Sequence, residues 1–319
     1  MSYQTSFPDE PPIPGSFKRK PNYFTTPFGF APGELPVEKG RYRLIWSRAC
    51  PWATRQLIAR SLLGLEDAIS VGTVDPVRPP PYRDGQGERT DWAFSLDPGG
   101  VDPVLKIKTL SEIYLATDRE YAGRFTVPAV IDLHRRKVVN TDYFNMSYYW
   151  ETVWKDFHRQ DAPDLFPQDL REEIIALNEG IYYAVNNGVY KAGFAETQEA
   201  YADACEKVFL CLDELEKRLT QGPYLFGDRL TDSDIRLYVT LARFDAAYYN
   251  AFRVNKRRIR DYPALWAYAR ALYRIPAFRE NTDFDHIKMH YHLCCDRGNT
   301  LHLLPKGPDN SDWLPERSA

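Results

Sequence analysis

Apolar and polar positions follow two different rhythms along this chain. From Arg41 to Phe157, short apolar runs are separated by helical spacing, whereas after Pro163 helical spacing runs almost without a break. Tyr42–Trp46 (YRLIW) reads as a strand. Ala53, Leu57, Ile58 and Leu62 then recur at the interval of a helix, which Gly64 is placed to stop. Residues 68–74 read as a second strand and 109–121 as a second helix. Residues 125–132 (FTVPAVID) and 137–140 read as two strands joined by a turn, and the aromatic-rich run 142–157 as a third helix. Helices are expected over 170–187, 196–219, 232–249 and 262–273. Thr231-Asp232-Ser233-Asp234 has the form of a capping box, a hydroxyl for one amide and an acid three residues on.

A βαβ order followed by αββα is the thioredoxin-like arrangement, so the expected fold is an α/β half followed by an all-α half. The expected division is an extended N-terminal arm over 1–40, a thioredoxin-like domain over 41–157, an all-helical domain over 158–290 and a tail over 291–319. Residues 76–103, rich in Pro, Gly and Asp, read as a long loop, a length usually functional or mobile. Val127-Pro128 heads a predicted strand, where an interior proline is a defect unless it has a role. A cis turn exposing the Val127 backbone to a peptide-like ligand would supply one, and a trans proline on an edge strand is the plainer alternative.

Composition narrows the function. At 319 residues, 44% hydrophobic and 27% charged, the chain is long enough for two cores. A net charge of −3 gives no footprint for nucleic acid or an anionic membrane. No apolar run reaches membrane-spanning length, and MSYQTSFPDEPPIPG has neither a basic start nor an apolar centre, so no secretory leader is expected. Five unevenly spaced cysteines fit no disulfide framework, and the expected compartment is the reducing cytoplasm.

One cysteine stands apart. Cys50-Pro51-Trp52-Ala53 lies between the first strand and the first helix, where free amides and the helix dipole favour a thiolate. Its sulfur is expected at the helix N-terminus and partly exposed. Ala53 occupies the position of a dithiol enzyme's second cysteine, so the site is a monothiol and a mixed disulfide formed on it needs an external thiol for release. Burial as an inert core residue is the commoner fate of a cysteine, and Cys205 and Cys211, in a helical pattern, fit it. His286, His290 and Cys294, spaced four apart, could line one helix face, but two nitrogens and one sulfur without a general-base Glu are an incomplete set, and no metal is expected.

Taken together, these residues resemble the Xi class of glutathione transferases, the glutathionyl-hydroquinone reductases. The resemblance runs through Cys50-Pro51-Trp52-Ala53, the Trp92 segment, Thr126-Val127-Pro128, and the run NNGVYKAGFA over 186–195. It continues through Asp234-Ile235-Arg236-Leu237, Arg243-Phe244-Asp245, Asp261-Tyr262-Pro263 and the HIKMHY run over 286–291, covering roughly residues 40–310. It implies a thioredoxin-like domain followed by an all-helical glutathione-transferase domain, in a cytosolic homodimer. It also implies a reductase in which a Cys thiolate attacks the sulfur of a glutathionyl-hydroquinone thioether. The hydroquinone then leaves with a proton, and a second thiol resolves the mixed disulfide. Carried over position by position, Cys50 is the nucleophile and Tyr190 the proton donor and acceptor, with Tyr248 and Tyr291 supporting thiolate and substrate. Trp92, Arg124, Phe125, Thr126, Val127, Asp142 and Tyr143 form the thiol site.

The chain departs from the family pattern in two places. Thr54 stands where His is usual, and Thr141-Asp142-Tyr143 where Asn-Glu-Ser receives the γ-glutamyl end of glutathione. Asp142 keeps the carboxylate on a shorter stem, and Tyr143 puts a ring in place of a small donor. The expected co-substrate is therefore glutathione or another low-molecular-weight thiol, acting on a small aromatic thioether. A non-catalytic or altered-thiol binding protein of the same fold is the alternative. A conjugating transferase is disfavoured, because it would pit a protein thiolate against that of the cofactor.

Overall fold

The computed structural model describes residues 13–85 and 87–314. The outer parts of the expected arm and tail, and Gln86 of the loop, lie outside the described residues. The chain divides into two compact units, one of residues 21–162, the other of 163–314 together with the segment 13–20.

In the first unit, β1 (Tyr42–Trp46) is buried at every position and forms one of the two inner strands of a four-stranded sheet. It pairs in parallel with β2 (Ile69–Thr73) and antiparallel with β5 (Ala129–Asp132), which pairs antiparallel with β6 (Lys137–Asn140). Parallel pairing of β1 and β2 needs a crossover, and α1 (Pro51–Leu63) provides it, buried along nearly its whole length. Pro51, with no amide to leave unpaired, starts this helix, and Gly64 at φ 73° ends it, as its placement predicts. α2 (Leu110–Thr117) starts at a Thr109/Glu112 capping box and stops four residues short of the expectation, where the chain turns at Asp118.

The run 125–132 forms strand only from Ala129, because Val127-Pro128 is a cis bond that holds the preceding residues out of the ladder. α3 (Met146–Thr152) is shorter than the aromatic run suggests. Asp142 accepts from the Phe144 amide at 3.2 Å, which makes 142–145 a turn before the helix. Residues 76–103 contain a hairpin, β3 (Tyr82–Asp84) with β4 (Gly87–Arg89), which their loop-like composition conceals. The exposed edge of β6 is covered by chain from the expected arm. Thr25 bridges to Asn140, and the Thr141 amide donates to Phe24 O at 2.7 Å.

Among the described residues no strand longer than an isolated bridge follows Asn140. The second unit contains α4 (Arg171–Ile181), α5 (Gly188–Gly193), α6 (Gln198–Arg218), α7 (Asp232–Arg243), α8 (Tyr249–Ala251), α9 (Pro263–Arg274), α10 (Pro276–Arg279) and α11 (Phe284–His290). α7 is its buried axis, every residue inaccessible, entered through the predicted Thr231/Asp234 capping box. Among its buried charges Arg236 pairs with Asp232, which also accepts from Asn178 at 2.9 Å. Three turns are π-helical: Tyr182–Asn186 after α4, Phe244–Tyr248 after α7, and Tyr291–Cys295 after α11.

Candidate active site

Chemically distinctive residues gather in two clusters, one in each unit. In the first, Cys50 is the N-cap of α1, in extended conformation, its amide bonded to Ser47 O at 3.0 Å. The thiol donates to the carbonyl of Val127 at 3.4 Å, so the cis Val127-Pro128 turn and the cysteine meet as the sequence suggests. Cys50 is more buried than expected, 9% exposed, because the 126–128 turn lies against its sulfur.

That turn is held by two phenols that sequence reasoning missed. Tyr114 donates to Thr126 O at 2.8 Å and Tyr121 to Arg124 O at 2.7 Å. Burial pushes both phenols up, Tyr121 to about 12, so they remain neutral donors. Phe125 is buried between Tyr82 of the hairpin, 5.5 Å away ring to ring, and the Arg89 guanidinium 4.8 Å from its centroid. Trp92 is also buried, with the Arg78 guanidinium 5.0 Å from its centroid. High tyrosine content was the one available sign of these supports, and it carries no position.

Asp142 and Tyr143 are half-buried. The Asp142 carboxylate accepts from Asn145 Nδ2 at 2.7 Å and from the Phe144 amide. The Tyr143 ring leans on Trp52, the residue two after Cys50, at 4.8 Å between centroids. Its carbonyl accepts from Gln56 Nε2 at 3.0 Å and from the Arg55 guanidinium, which is 1% exposed and lies over Trp52, Tyr143 and Phe144. Arg55 thus joins the first helix to the divergent Thr141-Asp142-Tyr143 run. Thr54, the other departure, is fully buried, its hydroxyl directed to Arg48 O at 3.5 Å.

The second cluster joins all three tyrosines singled out by the resemblance. Tyr190, on α5, and Tyr291, in the last π turn, share a hydroxyl–hydroxyl hydrogen bond of 2.5 Å. Tyr248, at the end of the middle π turn, meets Tyr291 at 3.2 Å. Tyr248 and Tyr291 are sealed from solvent, and Tyr190 alone of the three keeps a fraction of its surface, 8%. Burial, then the neighbouring Tyr190 and Tyr248, holds the Tyr291 phenol well above its ordinary range, so it stays protonated between its partners. Phe252 stacks on Tyr248 at 5.4 Å and closes the aromatic wall.

Two further expectations concern the tail and α6. His286 approaches Asp283 at 3.7 Å, and His290 Nε2 lies 3.5 Å from the Cys295 sulfur. The π turn brings the residue five on, Cys295, into contact with His290. Among the described residues no three His, Cys, Asp or Glu side chains are grouped as a metal site. Cys205 and Cys211 are half-buried on α6, less enclosed than expected of core residues. Burial still raises both thiols, Cys211 to about 11.

A family model described as the glutathione S-transferase C-terminal domain matches residues 198–271. Glutathionyl-hydroquinone reductase YqjG of Escherichia coli is 40% identical over 278 residues, 86% of this chain and 82% of its own. The solved Xi glutathione S-transferase of Phanerochaete chrysosporium aligns with a TM-score of 0.84 at 41% identity, covering 94% of this chain and 95% of the other. The glutathione-bound structure of Escherichia coli YqjG aligns with a TM-score of 0.79 at 39% identity, over 90% of each chain. The chain belongs to the glutathione transferases, in their Xi class. No helix among the described residues is long and apolar enough to cross a membrane.

Proposed function

We propose that the chain is a glutathionyl-hydroquinone reductase whose nucleophile is Cys50. Its thiolate attacks the sulfur of the thioether, forming an S–S bond as the aryl carbon–sulfur bond breaks. The electron pair of the broken bond goes to the aryl carbon, which is protonated, and Tyr190 handles the proton. A second glutathione thiolate attacks the mixed disulfide, releasing glutathione disulfide and restoring Cys50. The sum is thioether plus glutathione giving hydroquinone plus glutathione disulfide.

The observation that carries this reading is the trio Tyr190–Tyr291–Tyr248, joined hydroxyl to hydroxyl in a chain whose first helix begins at a monothiol cysteine. A phenol anchored by the buried Tyr291 hydroxyl, itself bonded to that of Tyr248, is fixed in orientation and poised to exchange a proton with an aromatic hydroxyl. Glutathione is the co-substrate this reading assigns, with residues 41–157 binding the thiol and 158–290 the aromatic group. The Trp92, Arg124–Val127 and Asp142-Tyr143 positions would line the thiol's path. The glutathione-bound relative supports this choice. The ring of Tyr143 on Trp52 favours a second reading, in which a different small thiol takes that place. A cytoplasmic homodimer is the assembly proposed.

Hydroquinone release from a glutathionyl-hydroquinone with glutathione as the only thiol tests the reading. Steady turnover is expected from the native chain, with a loss of about a thousandfold or more in Cys50→Ser. Equal rates in the two proteins would reject it.

A further inference from the structure

Residues 14–19 are fastened to the helices close to Tyr190. Thr197 Oγ1 donates to Pro14 O at 2.8 Å, and the Glu196 amide to Gly15 O at 2.9 Å. Gly15, at φ 81°, has no room for a side chain: a Cβ there would stand 2.7 Å from the Thr197 methyl. Phe17 packs on Phe194 at 5.3 Å between centroids. The strand of chain so anchored delivers Arg19, whose carbon Cζ lies 4.8 Å from the centroid of the Tyr190 ring. Its Nε donates to Asn187 Oδ1 at 2.8 Å. Asn187 is the residue from which α5 springs, its carbonyl accepting from the amides of Tyr190 (3.1 Å) and Lys191 (2.9 Å). One side chain therefore grips both the ring of Tyr190 and the turn on which that ring is mounted.

Building on the reading above, we infer that Arg19 is a positioning residue for Tyr190: it fixes the ring by stacking and sets a permanent positive charge beside the phenol. When Tyr190 gives up its proton, the guanidinium stabilises the phenolate, and when an aromatic ligand binds as its phenolate, the same charge favours that form. The other groups facing Tyr190 cannot take this role. Tyr291 and Tyr248 bring hydroxyls and no positive charge, Phe194 and Phe252 are apolar, and Arg243 acts on Tyr291. Arg297 lies over Phe194, at 5.4 Å.

The test compares native chain, Arg19→Gln and Arg19→Lys in hydroquinone release across pH, with thermal midpoints recorded alongside. Arg19→Gln is expected to lower kcat about three- to tenfold with KM within about twofold. The basic limb of its profile, where Tyr190 must still be protonated, moves up by roughly half a unit to one unit. Arg19→Lys keeps the charge and is expected to bring the limb back while recovering only part of kcat. An unmoved limb in Arg19→Gln, or a kcat that falls only in step with the thermal midpoint, would overturn the inference. A native chain without turnover would instead refute the reductase reading, and Arg19 is then decided by absorbance titration of bound 4-nitrocatechol. Its catecholate should form at lower pH on the native chain than on Arg19→Gln. Equal titrations, or no binding, would count against Arg19.

Discussion

Around Cys50 the chain positions its chemistry with backbone: a strand end, a proline-started helix and a cis turn bring the sulfur to one carbonyl. Around Tyr190 it does so with side chains, three phenols drawn from α5 and two π turns, plus a guanidinium from a distant segment. A backbone site tolerates substitution nearby, because its geometry is that of the fold. A side-chain site depends on every hydroxyl it uses, since each buried phenol left without its partner costs about 1–3 kcal/mol.

The largest effect that can break this contrast is at Tyr190. Tyr190→Phe keeps the ring on Phe252 and under Arg19 and removes only the hydroxyl. Its kcat is expected to fall about a hundredfold, while the rate of Cys50 alkylation by iodoacetamide stays as in the native chain. A parallel loss of alkylation would mean that the two clusters are one site in energetic terms, and that the contrast is wrong.

What could be read in advance follows the same line. β1, α1 and β6 have hydrophobic rhythms set by burial against one sheet, and their positions agree closely with the structure. Cys50 was legible because a strand, a cysteine, a proline and a helix in succession have one local geometry. The tyrosine trio was not, because Tyr248 and Tyr291 sit where winding changes from 3.6 residues per turn to the wider π form, and a period read at 3.6 assigns them no shared face. Only family resemblance selected them among 21 tyrosines. Arg19 lay inside a Pro- and Gly-rich segment with no period at all, and its partners are set by tertiary anchoring at Thr197. Tyr114 and Tyr121 were missed for a related reason: their hydroxyls reach backbone carbonyls, which carry no sequence signature.

A smaller effect sharpens the contrast at the divergent thiol position. The Tyr143 ring is held by Trp52 and Arg55, so its removal changes side chains while the backbone around Cys50 stays in place. Thr141→Asn, Asp142→Glu and Tyr143→Ser combined should tighten glutathione binding about tenfold to a hundredfold, the value of one regained charge-assisted hydrogen bond. Isothermal titration reads this directly. Unchanged affinity would show that the tyrosine is tolerated and that glutathione already binds well.

The central claim is that one sulfur performs the bond exchange. Intact-protein and peptide mass spectrometry, after mixing with a glutathionyl-hydroquinone in the absence of free thiol, tests it most directly. The account predicts one glutathionyl group per chain, placed on Cys50 and absent from Cys205 and Cys211, whose thiols burial holds in the protonated form. Free hydroquinone should appear in equal amount, and adding glutathione should remove the label. Hydroquinone released with Cys50 unlabelled, or a label distributed over the other cysteines, would contradict it.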